Sequence, residues 1–135
     1  MKKVLIVEDE SSVAGLISRV AGSLDCETRI LDCGEDVIST AIGWRPDLIT
    51  LDLAIPSPKG FELLKWLKGH VSTRGIPVLI ITGKVLRRDI VEEFAAVDGF
   101  FRKPFTNREL QLKMKEILEA GEHYATVEDI THGLN

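Results

Sequence analysis

Acids, a hydroxyl and an amine recur in this sequence at one kind of place, the end of a short apolar run. Val4–Val7 is followed by Glu8-Asp9, Leu48–Leu53 carries Asp52 near its end, Val78–Ile81 leads into Thr82-Gly83, and Phe100-Phe101 leads into Lys103-Pro104. Two or three carboxylates brought close together repel one another unless a cation joins them. Oxygen ligands with room for water favour Mg²⁺ over zinc or a softer metal. Lys103 adds a compact positive charge and Thr82 a hydroxyl. A carboxylate nucleophile, a hard metal, an ammonium and a hydrogen-bond donor together suit transfer of a phosphoryl group onto a carboxylate, a reaction in which protein mainly positions groups and neutralises charge. Taken singly, each residue has an ordinary reading. Glu8 and Asp9 can cap a helix, Thr82 and Lys103 are commonplace at a strand end and a turn, and Asp52 is unusual only as an acid closing a buried strand. The functional reading rests on four strand ends each carrying a group that this chemistry needs.

The elements that must position these groups follow from the spacing of apolar residues. Val4–Val7, Thr28–Leu31, Leu48–Leu53, Val78–Ile81 and Phe100-Phe101 are short runs expected as strands. Between them, helical spacing links Val13, Leu16, Ile17, Val20, Ala21 and Leu24, with Ser11 or Ser12 available as a cap. Val37, Ile38, Ala41 and Ile42 mark a second helix stopped before Arg45-Pro46; Phe61, Leu63, Leu64 and Leu67 mark a third, with Gly69 as its cap. Ile90, Val91, Phe94 and Ala95 mark a fourth, and Thr106 with Glu109 forms a capping box for a last helix carrying Leu110, Leu112, Met114, Ile117 and Leu118. Five strands alternating with five helices imply an α/β fold, a doubly wound parallel sheet with helices on both faces. In the flavodoxin-like strand order 2-1-3-4-5 the four chemistry-bearing strands are neighbours about 4.8 Å apart, and ligands in such sheets bind beyond the carboxyl ends of the strands.

Composition sets the outer limits. The 135 residues are 44% hydrophobic and 28% charged, with 11 Gly and 5 Pro, the make-up of one ordinary globular domain. A net charge of −4 disfavours nucleic acid as a partner for the domain as a whole. Two cysteines, Cys26 and Cys33, are too few for a disulfide framework or a four-ligand zinc site. The first apolar run is too short for a signal-peptide core and no other approaches a membrane span, so a soluble, reduced, cytoplasmic domain is expected. His70, His123 and His132 show no ligand spacing. Residues 84–115 hold eight Lys/Arg against five Asp/Glu, whereas residues 1–60 hold six against ten, which sets an acidic pocket apart from a mildly basic face suited to a protein partner.

Several stretches carry a resemblance to a known family. They are Val4-Leu5-Ile6-Val7-Glu8-Asp9-Glu10, Asp47 through Pro56, Gly60-Phe61-Glu62-Leu63-Leu64, Pro77 through Gly83, and Lys103-Pro104-Phe105. In this order and at these spacings they resemble the response-regulator receiver domains of two-component signalling, chemotaxis response regulators among them, over about residues 1–120. Residues 121–135 are then an extension or the stub of a linker: a short helix from near Thr126, an ordered strap, or a tether. The resemblance implies that Asp52 is the phosphoacceptor. It implies that Asp9, Asp52 and the backbone carbonyl of Ala54 hold Mg²⁺, with Glu8 acting directly or through water. Thr82 and Lys103 would bind phosphoryl oxygens with backbone N–H groups near Leu53, Ala54 and Gly83, and Phe100 would be the switch aromatic coupled to Thr82. Ala54 and Lys84 fall where family members tune dephosphorylation, and a cis Lys103–Pro104 bond is implied. Partners would be a histidine kinase or a histidine phosphotransfer protein, an output protein at the face of the fourth helix, fifth strand and fifth helix, and a second copy in a homodimer, with no membrane and no nucleic acid. The domain would catalyse only its own phosphorylation and dephosphorylation.

Some positions depart from the commonest pattern of that family. Glu8 stands for the more frequent Asp, Phe100 lacks a hydroxyl, and Ser57-Pro58-Lys59 occupies a loop that often has a Met and an Asp, so Lys59 brings a positive charge near the site. The segment Ala95 to Gly99 lacks a usual Gly-Ala pair and is one residue short. Three other functions compete. A receiver-like scaffold that binds partners without phosphorylation has no need of so costly a charge cluster. A flavin-binding relative would present donors to a phosphate where Glu8-Asp9-Glu10 repels one. A haloacid-type phosphatase would want a second acid where Ala54 stands.

Overall fold

The computed structural model describes residues 1–56, 59–83 and 98–134, with side chains up to residue 120. The strands are β1 (Lys2–Val7), β2 (Cys26–Leu31), β3 (Leu48–Leu51), β4 (Val78–Thr82) and β5 (Gly99–Arg102). The helices are α1 (Ser11–Ser23), α2 (Val37–Trp44), α3 (Gly60–Gly69) and α4 (Asn107–Leu134). All strand pairs are parallel, and the sheet order is β2-β1-β3-β4-β5, as the apolar runs and the switch-point reasoning anticipated. The helix expected from Ile90, Val91, Phe94 and Ala95 lies outside the described residues, so four helices are described where five were expected.

Period-two alternation splits the strands between two cores. Leu5, Val7, Ile49, Leu51 and Ile80 face Val37, Ala41, Leu63, Leu64 and Leu67 of α2 and α3. Val4, Ile6, Leu48, Leu79 and Ile81 face Ala14, Ile17 and Val20 of α1 and Leu110, Met114 and Ile117 of α4. Burial on both faces is why these strands read as unbroken apolar runs. Trp44 closes the end of α2, nearly buried beneath the cations of Lys3 and Arg29. Trp66 stacks on His70 just past α3.

Several boundaries differ from the sequence expectation. Strand β3 stops at Leu51 and not at Leu53, because the Asp52 carboxylate accepts a hydrogen bond from the N–H of Ala54 and turns the chain. Helix α1 takes Glu10, not a serine, as its N-terminal cap residue, and no side chain caps it, the Glu10 carboxylate lying toward Lys103 instead. Gly69 is the last residue of α3 and the extended His70 follows it. The capping box forms as expected, with the Glu109 N–H donating to Thr106 Oγ1 at 3.1 Å and the Thr106 N–H to Glu109 Oε2 at 3.4 Å. The helix it opens continues as one backbone helix to Leu134, without a break near Thr126.

Gly60 locks α3 against the turn after β3. A Cβ on Gly60 would stand 2.5 Å from the Leu53 Cα and 2.9 Å from its carbonyl carbon and oxygen, rigid backbone that can only move away. Helix propensity would favour alanine by about 1 kcal/mol, but forced displacement of packed backbone outweighs that. Gly60→Ala is expected to lose about 1–3 kcal/mol of stability. Denaturant titration checks this, and an unchanged or raised midpoint would contradict it.

Candidate functional site

The pairing of the sheet brings the strand ends to one level. Val7 is in register with both Leu31 and Leu51, so the residues that follow, Glu8 and Asp52, emerge side by side. The ladder runs one step further on each side: the Asp52 N–H donates to the Val7 carbonyl at 3.0 Å, and the Glu8 N–H to the Leu31 carbonyl at 3.0 Å. The Lys103 N–H donates to the Thr82 carbonyl at 2.9 Å, which ties the end of β5 to the end of β4. The Lys103–Pro104 peptide bond is cis.

Around Asp52, 3% exposed, three donors converge. Thr82 Oγ1 donates to Oδ1 at 2.8 Å, the Ala54 N–H to the same oxygen at 3.0 Å, and Lys103 Nζ to Oδ2 at 3.0 Å. The same ammonium lies 2.8 Å from Oε1 of buried Glu8 and 3.5 Å from Oε1 of exposed Glu10. Glu8 Oε2 accepts the Glu10 N–H at 3.3 Å. Oxygens of Glu8, Asp9 and Asp52 lie within 4.8 Å of one another, Asp9 being the exposed member. The cleft above them, about 510 Å³, is lined by Glu10, Asp52, Leu53, Ala54, Ile55, Lys59, Gly83 and Lys103.

The electrostatics of the two buried acids diverge. Burial pushes Glu8 up to about 7, more than Lys103 and the Glu10 N–H pull it back, and the Asp52 charge adds to the rise. Burial also opposes ionisation of Asp52, but the Ala54 N–H, Lys103 and Thr82 together outweigh it and hold that carboxyl below its ordinary value. Lys103 is partly buried, which opposes its charge, yet its carboxylate partners Glu8 and Asp52 raise it above the usual lysine range. Glu8 Oε1, a buried oxygen, is met by the Lys103 ammonium at 2.8 Å. Three carboxylates with oxygens within 4.8 Å of one another around one ammonium are an excess of hard oxygen donors, which fits a divalent cation with oxygen preference.

Residues 4–128 match the family model of the response regulator receiver domain. The chain belongs to that family. The alkaline phosphatase synthesis transcriptional regulatory protein PhoP of Bacillus subtilis is 31% identical over 122 residues, covering 90% of this chain and 50% of that protein. The signal receiver domain of a signal transduction histidine kinase from Syntrophus aciditrophicus is 30% identical, with a TM-score of 0.79 over 89% of this chain and 92% of its own. A CheY-like response regulator receiver domain protein from Methanospirillum hungatei is 25% identical, with a TM-score of 0.81 over 92% and 98%. The chain spans about half the length of the curated relatives it matches. A receiver domain is a signalling domain of two-component systems and not a classical enzyme, and receiver domains typically bind Mg²⁺ in an acidic pocket. Among the described residues, no helix is long and apolar enough to cross a membrane.

Set against the sequence expectations, Glu8, Asp9, Asp52, Thr82 and Lys103 of this receiver domain come together, and Leu53, Ala54 and Gly83 line the same cleft. Phe100 stands apart on β5, 40% exposed. Lys84 lies outside the described residues. Sequence reasoning places Glu10 only in an acidic run, because its approach to Lys103 depends on the residue that follows β5, far along the chain.

The Glu8 shift sets a pH dependence. Its folded value of about 7 exceeds its ordinary 4.5, so the folded chain holds a proton that the unfolded chain gives up between those values. Stability of the metal-free protein is therefore expected to fall as pH rises from about 5 to 8. Asp52 has the opposite sign, and its contribution is lost only on acidification below the ordinary aspartate range. Denaturant titrations in a chelator should show a flatter slope over pH 5–8 for Glu8→Gln than for the native chain; equal slopes would refute the assignment.

Proposed function

We propose that this receiver domain takes a phosphoryl group onto Asp52 from a histidine kinase or histidine phosphotransfer protein, and that the modification shifts a protein-interaction face between two states. The observation that carries the reading is the set of donors on Asp52: Thr82 Oγ1, the Ala54 N–H and Lys103 Nζ all point at one buried, ionised carboxylate. An oxygen of that carboxylate attacks phosphorus, an acyl phosphate forms, and the donor's bond to phosphorus breaks with its electron pair leaving on the imidazole nitrogen, which takes up a proton. Asp9, Asp52, the Ala54 carbonyl and Glu8, directly or through water, would hold Mg²⁺, which when bound supplies neutralisation of the phosphoryl charge. Lys103 and Thr82 then follow the negative charge from Asp52 to the phosphoryl oxygens, with the backbone N–H groups of Leu53, Ala54 and Gly83 around them.

The switch reading joins Thr82 to Phe100. As the Thr82 hydroxyl moves toward the new phosphoryl group, Phe100 turns from its exposed position toward the space behind it. The face that changes comprises β5 and the first turns of α4, and its partner is an output protein, a further domain or a second copy. Residues 121–135 serve as an extension or linker beyond a receiver unit of residues 1–120. Ala54 offers little to orient an attacking water, so the acyl phosphate is expected to be long-lived, with Lys84 as a second tuning position.

Phosphorylation by acetyl phosphate, followed by intact-protein mass spectrometry, tests the site. The native chain should gain one phosphoryl group with Mg²⁺ and none in chelator, and Asp52→Asn should gain none. An Asp52→Asn protein labelled like the native chain would remove the assignment. Absence of any Mg²⁺ binding would favour a scaffold that is never phosphorylated. Thr82→Ala should still accept phosphate while the Phe100 amide resonance stops responding to it. A response equal to the native chain's would break the proposed coupling.

A further inference from the structure

The cleft is acidic, yet its incoming substrate is an anion. Glu8, Asp9, Glu10 and Asp52 stand against the single ammonium of Lys103, which Glu8, Glu10 and Asp52 already engage. A second cation, Lys59, lines the same cleft and is exposed. Lys59 takes no part in an ion pair or hydrogen bond through its side chain among the described residues, whereas Lys103 is held by three carboxylates. Its backbone is fixed nonetheless. The Lys59 carbonyl accepts the Leu63 N–H at 3.1 Å as α3 begins, and the next residue, Gly60, is wedged against Leu53. Ala54 shares that wall of the cleft and offers only a methyl group, which leaves space beside Asp52 for an ammonium to enter. A rigid anchor with an uncommitted charge above an acidic floor is the arrangement that raises the local concentration of anions through the summed field.

We propose that Lys59 steers anionic phosphodonors into the cleft and makes the site favour small donors of double negative charge over those of single charge. This rests on Asp52 being the phosphoacceptor. The covalent step is unchanged: the bond from the Asp52 oxygen to phosphorus forms while acetate leaves acetyl phosphate with the electron pair of the broken bond. Lys59 acts before that step, on encounter, so its effect appears in the second-order rate constant and shrinks with salt.

The test measures phosphorylation of the full chain at saturating Mg²⁺ by intact-protein mass spectrometry. Two donors are compared at neutral pH: acetyl phosphate, a dianion, and phosphoramidate, which carries one net negative charge. At low ionic strength the acetyl phosphate rate constant should fall about threefold in Lys59→Ala and about tenfold in Lys59→Glu. Lys59→Arg should keep the native rate, phosphoramidate should show smaller losses, and about 0.5 M salt should bring all variants close together. Equal rates for the native chain and Lys59→Glu would overturn the proposal. So would a loss that neither salt nor arginine changes, since that pattern marks a structural role. A native chain that accepts phosphate from neither donor would instead overturn the phosphoacceptor reading on which this one stands.

Discussion

Everything at the carboxyl edge of this sheet depends on two buried carboxylates sharing one ammonium. Glu8 and Asp52 emerge from adjacent strands at the same level, and both touch Lys103. Neither would be ionised at such burial without compensation. The compensation is unequal. Asp52 receives two further donors, the Thr82 hydroxyl and the Ala54 N–H, and is held ionised. Glu8 receives only the Glu10 N–H on its other oxygen and is pushed toward the protonated form. The protein thereby separates a carboxylate held ionised from one whose proton comes off only near pH 7. The separation comes from the distribution of donors, since the two acids are equally buried.

That distribution ties the site to the rest of the sheet. Thr82 closes β4, and its carbonyl receives the Lys103 N–H, so two of the three donors on Asp52 are joined to each other through the backbone. Phe100 pairs with Ile80 two residues upstream on the same two strands. In the proposed switch, a displacement of the Thr82 side chain would reach an edge strand carrying a large exposed ring, while β1 and β3, in the sheet centre, are packed on both faces and have little freedom to follow. Coupling needs one element with two arrangements and a rigid frame beside it. The edge position of β5 and the central position of β3 provide that contrast.

The sheet and most of the site were legible in the sequence for a common reason. Parallel strands buried on both faces must be apolar throughout, so an acid or amine ending one of them is conspicuous, and four such interruptions mark four strand ends. What could not be read were features set by individual side-chain contacts, some local and some between distant segments. Strand β3 ends two residues earlier than the apolar run implies, because the Asp52 side chain captures the Ala54 N–H while Leu53 remains buried. Ser11 looks like a helix cap, but Glu10 takes that place. Glu8 and Asp9 are adjacent and chemically alike, yet one is buried and the other exposed, a distinction that comes only from how β1 is registered against β3. The expected fourth helix and Lys84 lie outside the described residues.

A division of labour within the cleft follows from these constraints. The residues that touch Asp52 have little room to vary, because each satisfies a buried charge and its loss would leave that charge unpaired. The wall facing them carries no such obligation. Ala54 and Lys59 can differ in size and sign without exposing a buried group, since one presents a methyl and the other an exposed ammonium with no partner among the described residues. Under the proposed function, selection among phosphate sources and acyl-phosphate lifetime would be altered on that wall while the acids, hydroxyl and amine opposite stay as they are. The departure from the common family pattern at Lys59, beside an otherwise complete set of Glu8, Asp9, Asp52, Thr82 and Lys103, falls on the side of the cleft where change is least costly.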